Sequence, residues 1–140
     1  MTAKQWLHRA RTIDKEIEVL LDEKQQTLDR LLQITQSYTR SEAQTSKDPH
    51  KIDKLVEYED KIDRKVDELA KVKAEIGSII DLLEDDHQRI ALRGYYLAIK
   101  TWEQVAVDMN FSFQHVMRIR KEAITEVEKL LNVWTIIILP

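Results

Sequence analysis

The sequence predicts an all-α fold: a long antiparallel helical hairpin, coiled-coil-like, followed by a helix-turn-helix module. Three observations carry that expectation. Only two glycines and two prolines occur in 140 residues, so little in the chain stops a helix. Two long stretches repeat apolar residues in alternating steps of four and three, the seam of paired helices. Closer to the C-terminus, two cap residues bracket a short turn between amphipathic segments.

The first helix opens at Thr2, with Gln5 at the capping-box spacing. Its seam is Trp6, Ala10, Ile13, Ile17, Leu20, Lys24, Thr27, Leu31, Ile34 and Tyr38. The polar pair Lys24 and Thr27 interrupts it, and such breaks fix register or partner choice at a cost in stability. Ser37 to Lys47 is rich in serine and threonine and reads as a loop. Asp48-Pro49 then starts a second helix, with Asp as cap and Pro in the first turn. Its seam is Ile52, Leu55, Glu59, Ile62, Val66, Leu69, Lys73, Ile76, Ile80 and Leu83. Helices of about 35 residues each would run roughly 50 Å, and matched lengths across a loop imply an antiparallel pair. Gly77 falls inside the second helix and marks either a kink or a close helix contact. Leu7, Leu21, Leu28, Leu32, Val56, Val72 and Ile79 flank the seams. They need cover from a third helix or, the preferred choice, from a second copy of the chain.

Residues 1–84 are thus expected to serve oligomerisation or interaction. Asp85 resets the chain by capping a new helix, with Gln88 at the box position. Ile90, Leu92, Tyr95, Tyr96, Leu97 and Ile99 would pack that helix on the helix-turn-helix. Thr101 and Gln104 form another capping box, and Val105, Ala106 and Met109 share one helical face. Asn110 tolerates the left-handed conformation a tight turn needs, and Ser112 is the next N-cap. Val116, Ile119 and Ala123 form the apolar stripe of the final helix. Residues 85–131 make up this module, and 132–140 form an apolar tail.

The stripe decides which side chains face outward. At an advance of about 100° per residue from Val116, Ile119 and Ala123 fall beside it and Gln114, Arg118 and Lys121 opposite. His115 and Met117 lie at the edges. Arg120 falls nearer the stripe, which suits pairing with an acid. Ser112, Phe113, Gln114, His115, Met117, Arg118 and Lys121 are therefore the candidate DNA-facing residues. Arg118 suits paired bonds to guanine and Gln114 to adenine, whereas Lys121 suits phosphate. Phe113 and Met117 offer apolar contact to a thymine methyl, or else pack on a neighbouring helix.

The segment from Arg89 to Leu131 resembles region 4 of bacterial sigma factors. It is more similar still to the ArpU-like small transcriptional regulators of Gram-positive phages. The residues that carry this are Arg89-Ile90-Ala91-Leu92-Arg93, Tyr95-Tyr96, Thr101-Trp102, Val105-Ala106, Ser112, Val116, Arg118 and Ala123. Many such turns carry glycine where this chain has Asn110. The resemblance covers about a third of the chain and implies a support helix ahead of a DNA-reading helix-turn-helix.

Charge is unevenly spread. Residues 1–86 hold 15 of the 22 bases and 20 of the 25 acids, so the helix-turn-helix half is the electropositive end of a chain of net charge -3. No cysteine is present, which removes disulfide and thiolate chemistry. No secretory signal and no membrane-spanning run is visible, so the cytoplasm of the host cell is the expected location. No phosphate-cradling glycine loop occurs, and His8, His50, His87 and His115 are scattered. Asp85-Asp86-His87 reads as a helix start rather than an acid/base or metal site. No catalytic residue, metal or cofactor is expected, and the chain is not expected to be an enzyme.

The expected function is a phage-encoded, sequence-specific transcriptional regulator. Its partners would be double-stranded DNA and a second copy of the chain, with host RNA polymerase as a further partner for an activator. Two alternatives have other signatures. A small-terminase-like packaging subunit would form rings and usually places its DNA-binding module first. An interaction protein inhibiting a host machine would bind protein without DNA affinity. Trp134, Ile136, Ile137, Ile138 and Leu139 are five large apolar groups in six positions. They are expected to be buried in an interface, a dimer contact first and packing on the chain's own helices second.

Overall fold

The structure is a computed structural model that describes residues 1–38 and 49–138. Among the described residues every regular element is helical: α1 (Ala3–Tyr38), α2 (Pro49–Ile80), α3 (Asp86–Leu92), a π-helical turn (Arg93–Leu97), α4 (Trp102–Met109) and α5 (Phe113–Ile138). None of the helices among these residues is long and apolar enough to cross a membrane. The expected loop falls mostly outside the described residues, as does the Asp48 cap; α2 begins at Pro49.

Two compact units form, one of Ile13–Leu69 and one of Met1–Thr12 with Ala70–Pro140. This division differs from a boundary at residue 84. The first turns of α1 and the last of α2 cluster with the C-terminal helices, because Leu7, Ala10, Ile76 and Ile80 are fully buried there.

In the unit of Ile13–Leu69, α1 and α2 run antiparallel. Lys65 Nζ lies 2.7 Å from Glu16 Oε2 and Lys24 Nζ lies 3.3 Å from Glu59 Oε1, so the pairing steps in opposite directions along the two helices. The first seam is in the expected register: Ile13, Ile17, Leu20, Lys24, Thr27, Leu31 and Ile34 are buried or half-buried. The break at Lys24 is answered by Glu59 across the pair. The second seam departs from expectation. Tyr58 and Lys65 turn inward, while Glu59 and Val66 are exposed. A tyrosine ring and a lysine stem both bury apolar length and keep a polar tip outside. The Glu16 carboxylate bonded to the Lys65 ammonium holds it above the usual lysine range, with Glu68 adding to the effect.

In the other unit, Thr2 and Gln5 cap α1 reciprocally, Gln5 N donating to Thr2 Oγ1 at 3.1 Å and Thr2 N to Gln5 Oε1 at 2.9 Å. Leu7, Val72 and Ile79, three of the flanking residues, are buried within the single chain. They are covered within the single chain, and Val72 and Ile79 continue the inward three-and-four spacing of α2 toward its C-terminal end. At Gly77 α2 runs on unbroken, and a Cβ there would meet Leu97 Cδ1 at 3.7 Å, an ordinary packing distance, so neither a break nor a contact that requires glycine is found. Asp85 caps α3 by accepting from Gln88 N at 3.1 Å.

The chain then widens into the π turn. Ala98 N donates to Arg93 O at 2.9 Å, and Lys100 N to Gly94 O at 3.0 Å. Ile99 exits with φ 56, a left-handed conformation uncommon for a β-branched residue. Gly94 lets this turn approach α4, since a Cβ there would stand 3.0 Å from Val105 Cγ2. From Phe113 onward no glycine or proline intervenes before Pro140, so α5 runs to Ile138 and the expected tail from residue 132 continues the helix.

Candidate nucleic-acid interface

The interface is assembled by local chemistry first. Thr101 Oγ1 accepts from Gln104 N at 3.2 Å while Gln104 Oε1 accepts from Thr101 N at 2.9 Å, closing the capping box of α4. Asn110 ends α4 in the left-handed conformation, φ 58 and ψ 37, its N–H reaching the carbonyls of Ala106 and Val107. Phe111 N donates to Ala106 O at 3.0 Å, which completes the turn. Ser112 Oγ then accepts from His115 N at 3.1 Å and starts α5. Asparagine here does the work of the glycine common in such turns.

The buried face of α5 is Val116, Ile119, Ala123 and Val127, none more than 7% exposed. Facing away are Ser112, Phe113, Gln114, Arg118 and Lys121, all exposed. Gln114, Arg118 and Lys121 sit at i, i+4 and i+7, one above another on the helix. His115 and Met117 are half-buried at the edges. The His115 ring meets Phe111 edge-on at 4.6 Å, and Phe111 meets His87 at 5.0 Å.

Charge pairing selects among the bases. Of the seven in residues 87–140, Arg89 pairs with Asp86, Arg93 with Asp81, Lys100 with Asp108 and Lys129 with Glu126. Arg120 does not pair with an acid among the described residues, contrary to expectation. Its guanidinium lies 5.3 Å from the centre of the Trp102 ring, and its Nη1 lies 3.8 Å from the Met117 sulfur. A buried tryptophan face attracts a cation through its ring quadrupole without needing a carboxylate. Arg118 and Lys121 are the bases that form no ion pair among the described residues and stand fully outward. They leave positive charge without an ion pair on the exposed face of α5.

An aromatic stack holds the module from below. Trp102 stacks on Tyr95 at 4.2 Å, and the Arg11 guanidinium covers the other side of the Tyr95 ring at 3.9 Å. Arg11 also donates to the carbonyls of Tyr95 at 2.8 Å and Lys100 at 3.0 Å. This clamp from α1 was not legible in the sequence, because its partners lie more than eighty residues away. Tyr96 is fully buried beneath it, with its hydroxyl unpartnered among the described residues. Burial pushes its phenol up, against a smaller opposing pull from Arg120.

Asp85, Asp86 and His87 act as a helix start: Asp85 caps, Asp86 pairs with Arg89, and His87 packs on Phe111. Among the described residues no group of three or more side chains is placed to hold a metal. A groove of about 380 Å³ between Leu82, Glu84, Asp85, Gln88, Glu126 and Leu130 is lined by acids and no base, which does not suit a polyanion. Of the residues expected to form the apolar interface, Trp134 is about half exposed, as is Val133 beside it. The side chains of Ile136, Ile137, Ile138 and Leu139 lie outside the described residues.

The fold is all-helical among the described residues, with α4 and α5 joined by a tight turn at Asn110. Residues 43–128 match the family described as "Protein of unknown function (DUF1492)". The match spans more than half the chain, including the turn and the outward residues from Ser112 to Lys121, and the chain belongs to that family. No curated protein and no solved structure matches it.

Proposed function

We propose that the chain is a sequence-specific DNA-binding regulator of phage transcription, acting without catalysis and inserting the start of α5 into the major groove. The observation that carries this is the pairing pattern of the bases. Arg118 and Lys121 are left without acids among the described residues, on one exposed face with Gln114, directly after a capped turn. Helices presented this way read base edges with their first turns. In this reading Arg118 and Gln114 contact bases, Lys121 and Ser112 contact phosphate, and Phe113, His115 and Met117 border the contact. The resemblance to sigma region 4 and to ArpU-like regulators supports the phage setting. The host cytoplasm is then the site of action, with host RNA polymerase a partner if the protein activates.

A homodimer belongs to the same proposal, since operator half-sites repeat each helical turn. Its contact is assigned to the end of α5, where Val133 and Trp134 are half exposed. The test is titration of random-sequence duplex DNA at several salt concentrations, with sedimentation of the full chain and of a chain ending at Asn132. Affinity that falls steeply with salt, and a dimer that the truncation dissociates, support the proposal. DNA affinity with large rings would favour a packaging subunit. Absence of DNA affinity would favour an interaction protein, a reading to which the acid-rich unit of Ile13–Leu69 gives some weight.

A further inference from the structure

The unit of Ile13–Leu69 leaves one face of its helix pair uncovered. With the seam at Ile17, Lys24 and Leu31 on α1, and at Leu55, Tyr58, Ile62, Lys65 and Leu69 on α2, the flanking positions can be assigned to sides. Turning one helix end over end brings like flanks together, so the residues following each seam on one side share a face. That face carries Leu21, Leu28 and Leu32 from α1 and Ile52, Val56 and Val66 from α2. Leu28 is half-buried; the other five are between 41% and 53% exposed. Scattered exposed leucines need no explanation, but six aliphatic residues on one side of one helix pair do.

The charges on the same side are of one sign. Asp14, Glu18, Glu59 and Asp63 share the face; the seam Lys24 is bonded to Glu59 and Lys15 to Glu18, which leaves Asp14 and Asp63 with no ion pair among the described residues. The outer edges add Asp22, Asp29, Asp53, Asp60 and Asp67 against Lys15, which is itself paired with Glu18. The opposite face is balanced, with four acids and the four bases Arg30, Lys54, Lys61 and Arg64. Acid is thus concentrated around the uncovered apolar patch. Two copies meeting through this face would set acid rim against acid rim, which disfavours self-association.

We propose that this face is a docking site for a basic amphipathic helix of another protein. The occupant presents an aliphatic stripe to Leu21, Leu32, Ile52 and Val56, and lysines or arginines to the acidic rim. The patch from Leu21 to Leu32 spans roughly 16 Å of helix, which sets a footprint of about three turns. Neither the stripe nor the rim includes a residue of α5.

The test uses the full chain and a synthetic amphipathic helix of leucine and lysine, about 18 residues long, in calorimetric titration. A peptide of the same composition in scrambled order, and a leucine–glutamate counterpart, are the controls. The amphipathic basic peptide is expected to bind at least about tenfold tighter than either control. Leu32→Gln with Val56→Gln, both at half-exposed sites, should weaken it by about tenfold or more, with the helical circular dichroism unchanged. Glu18→Gln with Asp63→Asn keeps the apolar patch and should weaken binding at low salt but not at high salt. Arg64→Glu on the opposite face should have no such effect. Equal binding of the scrambled peptide, or indifference to both double variants, overturns the proposal. So does a dimer of the full chain that dissociates on Leu32→Gln with Val56→Gln, because a second copy would then be the occupant.

Discussion

Gly94 joins the π turn to α4, and replacing it sets two effects of opposite sign against each other. In a helical setting, alanine in place of glycine removes backbone freedom from the unfolded chain and stabilises by about 0.5–1 kcal/mol. Here the new Cβ would stand 3.0 Å from Val105 Cγ2. Val105 is 2% exposed, and a valine in a helix has one strongly preferred rotamer, so it has little room to retreat. Overpacking of this kind costs about 1–3 kcal/mol, and the net expectation for Gly94→Ala is a loss of about 0–2 kcal/mol. The assay is denaturant unfolding of Gly94→Ala, Val105→Ala and the double variant. Val105→Ala alone opens a cavity and destabilises. In that background the obstruction is gone, so adding Gly94→Ala should now stabilise. The coupling between the two sites should be about 1–3 kcal/mol. An effect of Gly94→Ala that is the same in both backgrounds would show that the contact does not hold the turn against α4.

Gly77→Ala should behave differently, because its Cβ would meet Leu97 Cδ1 at 3.7 Å, an ordinary contact; a gain of about 0.5–1 kcal/mol in denaturant unfolding is expected. Tyr96 carries a phenol raised by burial. The unfolded chain loses that proton near pH 10 while the folded chain holds it to higher pH, so its contribution is full below about pH 10 and is lost as pH rises beyond. Tyr96→Phe should flatten that alkaline fall, and at neutral pH it should cost less than about 1 kcal/mol, because the hydroxyl it removes lacks a partner among the described residues. A Tyr96→Phe protein with the same alkaline stability profile would contradict this assignment. Lys121→Ala should weaken binding to all duplex sequences alike and lower the salt slope by about one, read from titrations at several salt concentrations.

Much of the local structure could be read from the sequence because it depends on near neighbours. Thr2, Asp85, Thr101 and Ser112 cap where their spacing to Gln5, Gln88, Gln104 and His115 places them. Asn110 adopts the left-handed turn for the same reason. The seam of α1 was legible because most of its positions are aliphatic. That of α2 was legible at Leu55, Ile62, Leu69, Ile76, Ile80 and Leu83 but not at Tyr58 and Lys65, which are amphipathic and rank below Val66 in a residue-type pattern. Long-range partners decided the rest. Arg120 looked like half of an ion pair until Trp102 came beneath it. Arg11 showed no sign of clamping the carbonyls of Tyr95 and Lys100. The outward positions of α5 followed from its period alone, so Gln114, Arg118 and Lys121 are exposed where the helix wheel puts them. Their contact with DNA is the functional proposal, and it has its own test.

That test is a selection of bound duplexes from a random pool, carried out with the wild-type chain and with Gln114→Ala/Arg118→Ala. The wild-type chain is expected to enrich a defined sequence containing a guanine contacted by Arg118. The double variant should bind DNA more weakly and with relaxed preference at the positions it no longer reads, Arg118→Ala alone costing about 1–3 kcal/mol. Enrichment of the same sequence to the same degree by both proteins would contradict it, because α5 would then not be the element that enters the groove.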